Sequence, residues 1–367
     1  MKRPSAFFIN GGAGRVICSI PALEKYAEDN PDEDFLIVCE GGTDFYKGHP
    51  NLYPRTYDVW HKNLFQDRLV DMQVVSPEPY RIWEYYNQKA SLSQAFDIEI
   101  NNKGVRELQK PKLKLSTEEL VQGQLTIADV RTRTGKDKVV VFQPFGRGVQ
   151  ASEQVIYDPS GRSFDYKNVI NIIRKLQEKD YAVMVMAEFQ MNFESEGLTA
   201  VAQPTQIHIR QWAGIIAACD HFLGCDSVGQ HIAYSLNKTA TVVLGATYPI
   251  NVSYPDYEKF EVLDMGEGAR KYDPIRIAPD EVCNRNNDGI MIMNDKIEDV
   301  IVKSIDKLVE KYYTKPVAQT PKLTGQIAAN SGIMNQPPKE AVQVPVNASK
   351  LPQSQPHPKG MILNAKR

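Results

Sequence analysis

One segment in the second half of the chain constrains the fold more than any other. The apolar run His221–Gly224 predicts a short strand, Asp226 and Ser227 form a turn, and a helix begins near Val228. Such a turn aims backbone N–H groups and the positive end of a helix dipole at one point, which suits an anion. Either Asp226 or Ser227 can cap the helix, and the side chain of the other residue then stays free to bind a ligand. The competing interpretation is an ordinary N-cap with no role in ligand binding.

The same alternation opens the chain. An apolar strand at 6–10 is followed by a glycine-rich turn, an amphipathic helix from about Val16 to Glu28 and a strand at Phe35–Cys39. This β-α-β order predicts a parallel sheet. The remaining elements expected before the second half are strands at Tyr57–Trp60 and Met72–Val75, helices at 79–96 and 116–130, and a polar linker at 131–138.

A second alternation follows the linker. Its predicted strands lie at 139–142, Tyr181–Met186, His221–Gly224 and Thr239–Leu244, and its helices at 165–179, 210–218, 228–236 and 295–313. The fold class predicted is α/β, with two Rossmann-like domains that face each other across a cleft. The expected boundaries are 1–130 for the first domain, 131–313 for the second, and 314–367 for a tail.

The tail differs in composition from the rest of the chain. Residues 315–367 carry a charge of +6 and the remainder carries −8. The tail has no aromatic residue and is rich in Pro, Gln and Lys, so we expect it to be disordered. The mildly acidic body disfavours binding to a nucleic-acid backbone.

Cysteine usage and the N-terminus bear on location. The five cysteines are widely spaced and include no Cys-x-x-Cys pair, which favours a reducing compartment. The apolar run Ala6–Ile9 is too short for a signal peptide, and no run of 18 apolar residues occurs. We therefore expect a cytoplasmic protein.

Candidate ligand-binding residues follow the predicted strands of the second half, where parallel sheets bind ligands. Gln143 and Arg147 follow its first strand and Glu188 follows its second. Arg162 precedes a helix on the same rim and suits a phosphate, whereas Arg147 is equally well explained as a surface residue. Thr247 follows the last strand, and His231, one turn into the helix after Ser227, is more simply explained by packing than by phosphate contact.

The first turn contains Gly11, Gly12 and Gly14. It matches neither the Gly-x-Gly-x-x-Gly dinucleotide motif nor a P-loop. Its glycines would let a ligand approach the end of the first strand, but tight-turn geometry explains them equally well.

Together these segments resemble glycosyltransferase family 9, the lipopolysaccharide heptosyltransferase family. The opening strand and turn through Leu23 match the family's first motif, and residues 142–164 match its strand, Pro-Gly and helix pattern. The family's most specific signature matches residues 218–249. It consists of Ala-Asp, a strand, Gly-x-Asp-Ser and His-x-Ala, followed by Gly-x-Thr-x-Pro. The resemblance covers residues 5–312, and it is loose between 44 and 130.

The resemblance implies a GT-B fold and a metal-independent, inverting transferase that needs no cofactor and uses a nucleotide-diphosphate sugar, typically ADP-heptose. It implies that Asp226 contacts sugar hydroxyls and that Arg162 contacts phosphate. The remaining implied donor contacts are Glu188 near the nucleoside and Ser227, Val228, Gly229 and His231 around the diphosphate.

Two departures from the family pattern concern catalysis and the turn. Many members place an aspartate that acts as acceptor base where this chain has Arg15, and an arginine cannot take a proton near neutral pH. Glu40 or Asp44 would then replace it, an acidic acceptor would need no base, or the activity is lost. Arg15 could instead hold a phosphate or carboxylate of the acceptor. The family's Ser-Gly-Pro-Met-His is Ser227-Val228-Gly229-Gln230-His231 here.

The function predicted is transfer of a heptose or similar sugar to a glycan or lipid-linked acceptor. The main alternative is a catalytically silent homologue that binds a nucleotide sugar or a glycan. The observation that suggests it is Arg15 at the position of the usual base. A third hypothesis is a glycosyltransferase that acts on DNA bases, and only the basic tail supports it.

Overall fold

A computed structural model of the chain describes residues 3–146, 148–151, 156–158, 160–205, 207–270, 287 and 289–313. The described residues belong to one compact unit, Met1–Pro316. Arg147 and the predicted tail lie outside the described residues. The predicted domain boundaries at 130 and 313 stay predictions.

The first sheet confirms the expected parallel β-α-β arrangement. Its strands occur in the order β3-β2-β1-β4, and each neighbouring pair is parallel. The two shorter strands lie within one or two residues of their predicted positions. The bounds are Ser5–Phe8 for β1, Phe35–Cys39 for β2, Thr56–Asp58 for β3 and Gln73–Val75 for β4.

A second sheet is formed by five parallel strands in the order β11-β10-β9-β5-β8. The edge strand β11 was not predicted, because charged residues interrupt its short apolar run. The bounds are Lys138–Gln143 for β5, Tyr181–Val185 for β8, His221–Gly224 for β9, Ala240–Leu244 for β10 and Phe260–Asp264 for β11. A small antiparallel pair, β6 at Gln150–Ala151 and β7 at Ile156–Tyr157, accompanies it.

Helices connect the strands of both sheets. No helix in the described ranges has the length and apolar content that a membrane span requires. The bounds are Ala13–Asp29 for α1, Trp83–Tyr86 for α2, Leu92–Asn101 for α3, Thr117–Thr134 for α4, Tyr166–Glu178 for α5, Ile209–Ala218 for α6, Val228–Ser235 for α7, Pro249–Val252 for α8 and Asp295–Tyr312 for α9.

The helix predicted at 79–96 is wrong as a single element. The segment begins as a 3₁₀ turn at Pro79–Arg81, continues as the one-turn helix α2 and breaks at Gln88, which has a positive φ of 58°. Helix α3 starts after it through a capping box, in which Ser91 and Gln94 satisfy each other's backbone amides. The aromatic spacing that suggested one helix therefore belongs to two short pieces.

Helix α4 is longer than predicted and shortens the expected linker. It runs to Thr134 and ends at Gly135, whose φ of 68° is the left-handed conformation common at helix ends. The predicted linker thus contains the last helical turn and only a short connection to β5. Helix α4 packs tightly on α6, since a Cβ at Gly123 would lie 2.0 Å from the Gly214 carbonyl oxygen.

One apolar cluster extends from the first sheet to the second. It includes Phe7 of β1 and Ile20 of α1 together with Ile215 of α6 and Phe222 of β9. Helix α1 also approaches α7, which brings the glycine-rich turn of the first sheet against the Asp226–Ser227 turn of the second. This approach forms the candidate site.

Candidate functional site

The loops after three strands of the second sheet converge. The Ala246 amide donates to the Gly161 carbonyl at 3.0 Å, which joins the loop after β10 to the loop before α5. A Cβ at Gly146, just after β5, would lie 3.5 Å from the carbonyl oxygen of Asp226. The carboxyl edge of the sheet therefore gathers the residues that the sequence placed at separate strand ends.

Asp226 and Arg162 form the charged centre of this edge. Their side chains approach to 3.8 Å between Nη1 and Oδ2, and Asp226 is only 8% exposed. Burial lowers the pKa of Arg162, but Asp226 and then Asp158 outweigh burial and raise it. The site thus holds a guanidinium that stays charged beside a carboxylate, both within reach of a ligand entering the edge.

The expected cap of helix α7 is wrong. Ser227 occupies the N-cap position but makes no side-chain cap hydrogen bond. The side chain of Gln143 does this instead: its Oε1 accepts from the Gly229 amide at 2.9 Å, and its Nε2 donates to Ser227 Oγ at 3.1 Å. Gln143 reaches α7 because β5 and β9 are neighbours in the sheet, a pairing that sequence spacing does not reveal.

His231 is a packed, neutral histidine. Burial lowers its pKa to about 4, so the ring carries no charge near neutral pH. Its Nδ1 lies 2.8 Å from the Tyr254 hydroxyl and 3.5 Å from Cys18 Sγ. A neutral imidazole gives a diphosphate a hydrogen bond at most, whereas Arg162 supplies a positive charge at this edge.

The glycine-rich turn faces this histidine directly. A Cβ at Gly14 would lie 2.8 Å from Cδ2 of His231 and 3.8 Å from the Cα of Val228. Gly11 has a φ of 118°, which side chains disfavour, and Gly12 is the N-cap of α1. Gly14 is thus required for the close approach of the two halves, while Gly11 is required by its backbone conformation.

Arg15 points along the first sheet. Its Nη2 donates to the Pro77 carbonyl at 2.5 Å and lies 3.4 Å from Oε1 of Glu78. Its guanidinium also lies 5.3 Å from the ring centre of Tyr80 and 5.5 Å from that of Phe96. The segment just after β4 therefore holds the side chain that replaces the expected base.

Tyr80 packs under the Arg15 guanidinium. Burial raises the pKa of the Tyr80 hydroxyl, the charge of Arg15 lowers it, and the charge of Asp226 raises it. Sequence reasoning placed Tyr80 in a helix and did not select Glu78. Both residues could have been selected from the sequence because they follow the strand predicted at Met72–Val75.

The two carboxylates proposed as substitutes for the base lie elsewhere on the edge of the first sheet. Glu40 is exposed just after β2. Asp44 is 44% exposed, its Oδ2 lies 3.4 Å from Nε2 of His208, and its carbonyl accepts from Arg210. In the contacts of the described residues, Arg15 is paired with Glu78 and not with either of them.

Glu188 and Thr247 occupy the outer part of the second edge. Glu188 is exposed after β8, and the next residue, Phe189, packs against Phe145 with ring centres 5.2 Å apart. Thr247 Oγ1 is buried and has no hydrogen-bond partner in the described structure. Among the described residues, Gln230 Oε1 and Arg15 Nε are also buried and lack a hydrogen-bond partner. The amide nitrogen of Gln230 contacts Asp226. Buried polar atoms are normally paired, so three unpaired ones near the edge suit an incoming polar ligand.

The described cysteines lie in the interior of the protein. Cys18, Cys39, Cys219 and Cys225 are buried free thiols, and burial raises the pKa of each. Among the residues that the structure describes, no group of three or more His, Cys, Asp or Glu side chains is arranged to hold a metal ion.

Two parallel α/β sheets that meet at their carboxyl edges define a GT-B fold. Solved structures confirm this class: a family 9 glycosyl transferase from Veillonella parvula superposes with a TM-score of 0.58 at 13% identity, covering 84% of this chain and 98% of its own. The ADP-heptose LPS heptosyltransferase II of Escherichia coli gives a TM-score of 0.53 at 11% identity, with coverages of 84% and 99%.

A third similar structure is the iron-containing dodecameric glycosyltransferase TibC of enterotoxigenic E. coli, with a TM-score of 0.55, 12% identity and coverages of 85% and 81%. No family model and no curated protein matches the sequence. At these identities the structural similarity shows a shared fold, and the chemistry has to be argued from the site.

Proposed function

We propose that this protein is a glycosyltransferase that moves a sugar from a nucleotide-diphosphate donor to an acceptor hydroxyl. One observation carries the proposal: Arg162, Asp226 and the Gln143-capped start of α7 form one polar edge directly opposite Gly14. The second sheet would bind the donor, and the glycine-rich turn would face the acceptor.

The donor contacts follow from charge and position. Arg162 would hold the diphosphate by charge-assisted hydrogen bonds, and Asp226 would accept hydrogen bonds from sugar hydroxyls. The start of α7 adds a favourable dipole for an anion. Thr247 would supply an unpaired hydroxyl, and Glu188, exposed after β8, would contact the ribose.

The reaction proposed is a single displacement with inversion, without a metal ion. The acceptor oxygen forms a bond to the anomeric carbon while the bond from that carbon to the diphosphate breaks. The departing diphosphate takes the electron pair, and Arg162 stabilises its growing negative charge. Such fixed electrostatic stabilisation is commonly the largest contribution that an enzyme makes to rate.

The choice of donor to test first comes from the structural neighbours. The E. coli heptosyltransferase is named for ADP-heptose, and TibC has been crystallised with ADP-D-beta-D-heptose. We propose ADP-heptose or a related nucleotide sugar as the donor, a glycan or lipid-linked molecule as the acceptor, and the cytoplasm as the location.

A silent homologue is the second candidate function, and the position of Arg15 favours it. Arg15 cannot act as a base, and its side chain is already engaged by Pro77 and Glu78. In this reading the donor binds but no sugar is transferred. The DNA-base alternative rests on the tail, which lies outside the described residues.

Calorimetry with ADP and ADP-heptose tests the donor site. Arg162→Gln should weaken both ligands at least tenfold, because both carry the diphosphate. Asp226→Ala should weaken ADP-heptose at least tenfold but ADP less than threefold, because only the former carries sugar hydroxyls. Arg174→Gln, an exposed change on α5, is the matched control and should alter neither affinity.

Two results would contradict the proposed donor site. If neither ADP-heptose nor any other nucleotide sugar in a panel binds, the donor site is wrong and both candidate functions fall. If Asp226→Ala weakens ADP and ADP-heptose equally, Asp226 does not contact the sugar.

A further inference from the structure

The first sheet carries a carboxylate that no motif selected. Strand β4 pairs with β1 in parallel, with Val75 beside Phe7, so the residues after both strands run along the same edge. Glu78 therefore lies beside the glycine-rich turn although 63 positions separate it from Arg15. The structure therefore places the Glu78 carboxylate, which can accept a proton, beside Arg15, which cannot.

Glu78 is held in place yet accessible. Its backbone amide donates to Glu99 Oε2 at 3.0 Å, and Arg15 lies 3.4 Å from its Oε1. The side chain is still 45% exposed, so a ligand in the cleft can reach the carboxylate. Arg15, which contacts Glu78, directly follows Gly14, and a Cβ at Gly14 would lie 3.8 Å from the Cα of Val228 at the start of α7. Glu78 therefore lies next to the point where the two sheets approach each other.

We propose that Glu78 is the general base for the acceptor, with Arg15 and Glu99 as positioning residues; this inference rests on the proposed function. The Glu78 carboxylate takes the proton of the acceptor hydroxyl as the oxygen bonds to the anomeric carbon. The diphosphate leaves with the electron pair of the broken bond. Arg15 orients Glu78 through Oε1, which explains why an arginine is compatible with activity at this position.

The experiment measures the release of ADP from ADP-heptose with water as the acceptor, alongside calorimetric binding of ADP. Glu78→Gln keeps the shape of the side chain and removes its basicity. It should lower kcat 100- to 10,000-fold, the usual contribution of a general base, while ADP affinity stays within twofold. Glu78→Asp should restore part of the rate, and Glu84→Gln, a nearby change on α2, should leave both quantities unchanged.

The pH profile separates a base from a structural residue. The pH profile of kcat should contain an acidic limb in the wild type, and Glu78→Gln should abolish that limb. Arg15→Gln should reduce kcat less than Glu78→Gln and leave the limb in place, because the base itself remains.

Each contrary outcome has a definite meaning. Normal ADP binding with Glu78→Gln within threefold of wild type overturns the base assignment and leaves the glycosyltransferase proposal intact. A large loss in Glu40→Gln or Asp44→Asn but not in Glu78→Gln assigns the base to those residues instead. A wild-type protein that binds ADP-heptose but never releases ADP overturns the catalytic role and favours the silent homologue, whereas absence of binding overturns the proposed function itself.

Discussion

Two buried histidines show how the environment of a single residue sets its charge. His221 lies in β9 between the hydroxyls of Thr239 and Thr241, each 3.0 Å from a ring nitrogen, and burial lowers its pKa to about 3. Burial likewise lowers the pKa of His231 to about 4. Sequence indicated that His231 is packed, but the loss of its charge follows only from the completeness of its burial.

These lowered pKa values make stability depend on pH. The unfolded chain binds protons at an ordinary histidine pKa near 6.5, whereas the folded chain resists them, so stability falls as pH decreases from 6.5 towards 3 or 4. Between pH 7 and pH 5 each histidine should cost about 2 kcal/mol of unfolding free energy. In denaturant titrations at the two pH values, His221→Gln should make this loss about 2 kcal/mol smaller.

The exposed His61 provides the control, since His61→Gln should leave the pH dependence as it is in the wild type. An unchanged pH dependence in His221→Gln would show that the neutral state of His221 is not what the fold requires.

At the scale of elements, local pattern located most strands and helices, because apolar periodicity reports directly on burial. It failed at 79–96, where the 3₁₀ turn at Pro79–Arg81, the break at Gln88 and the Ser91 capping box divide an apparently continuous helix. It also missed β11, whose pairing with β10 compensates for a weak pattern. Where tertiary contacts decide the state of a short segment, its own residues carry too little information.

The crossing of α4 and α6 yields a prediction at this scale. Alanine normally stabilises a helix relative to glycine by about 1 kcal/mol. At Gly123 the added Cβ would meet the Gly214 carbonyl at 2.0 Å, so the helices must separate. Gly123→Ala should therefore lower the unfolding free energy by about 1–3 kcal/mol, measured by chemical denaturation.

The sign of the change is diagnostic. Gly104→Ala adds a Cβ in open space and should leave stability within about 0.5 kcal/mol of wild type. A stabilising effect of Gly123→Ala would contradict the close helix crossing.

At the scale of the whole molecule, a few buried polar side chains tie the two sheets together. Arg210 of α6 binds both carboxylate oxygens of Glu119 on α4, and it also donates to the carbonyls of Asp44 and Lys114. Burial raises the pKa of Glu119, but the hydrogen bonds from Arg210 and Ser116 together with the charge of Arg210 outweigh burial and lower the pKa to about 2. Asn251 adds a second tie, because its amide donates to the carbonyls of Tyr85 and Ala90.

Removing the Arg210 tie should destabilise the molecule strongly. Arg210→Gln removes the positive charge beside Glu119 and the donors to two carbonyls, at a cost of about 3–5 kcal/mol in unfolding free energy. Arg133→Gln, which affects an exposed ion pair with Asp129, should cost less than about 1 kcal/mol. Equal effects of the two changes in thermal or chemical unfolding would contradict a central role for Arg210.

The alternation of most strands and helices, and with it the α/β class, followed from the sequence alone, because the local pattern of apolar residues indicates which residues must be buried. The positions of Asp226 and Thr247 after strands, and of Arg162 before a helix, followed from the same pattern. Only the tertiary structure decided that Gln143 caps α7 and that Glu78 faces Arg15. Those contacts depend on which strands become neighbours in a sheet, β5 beside β9 and β4 beside β1, and that choice is made by long-range packing.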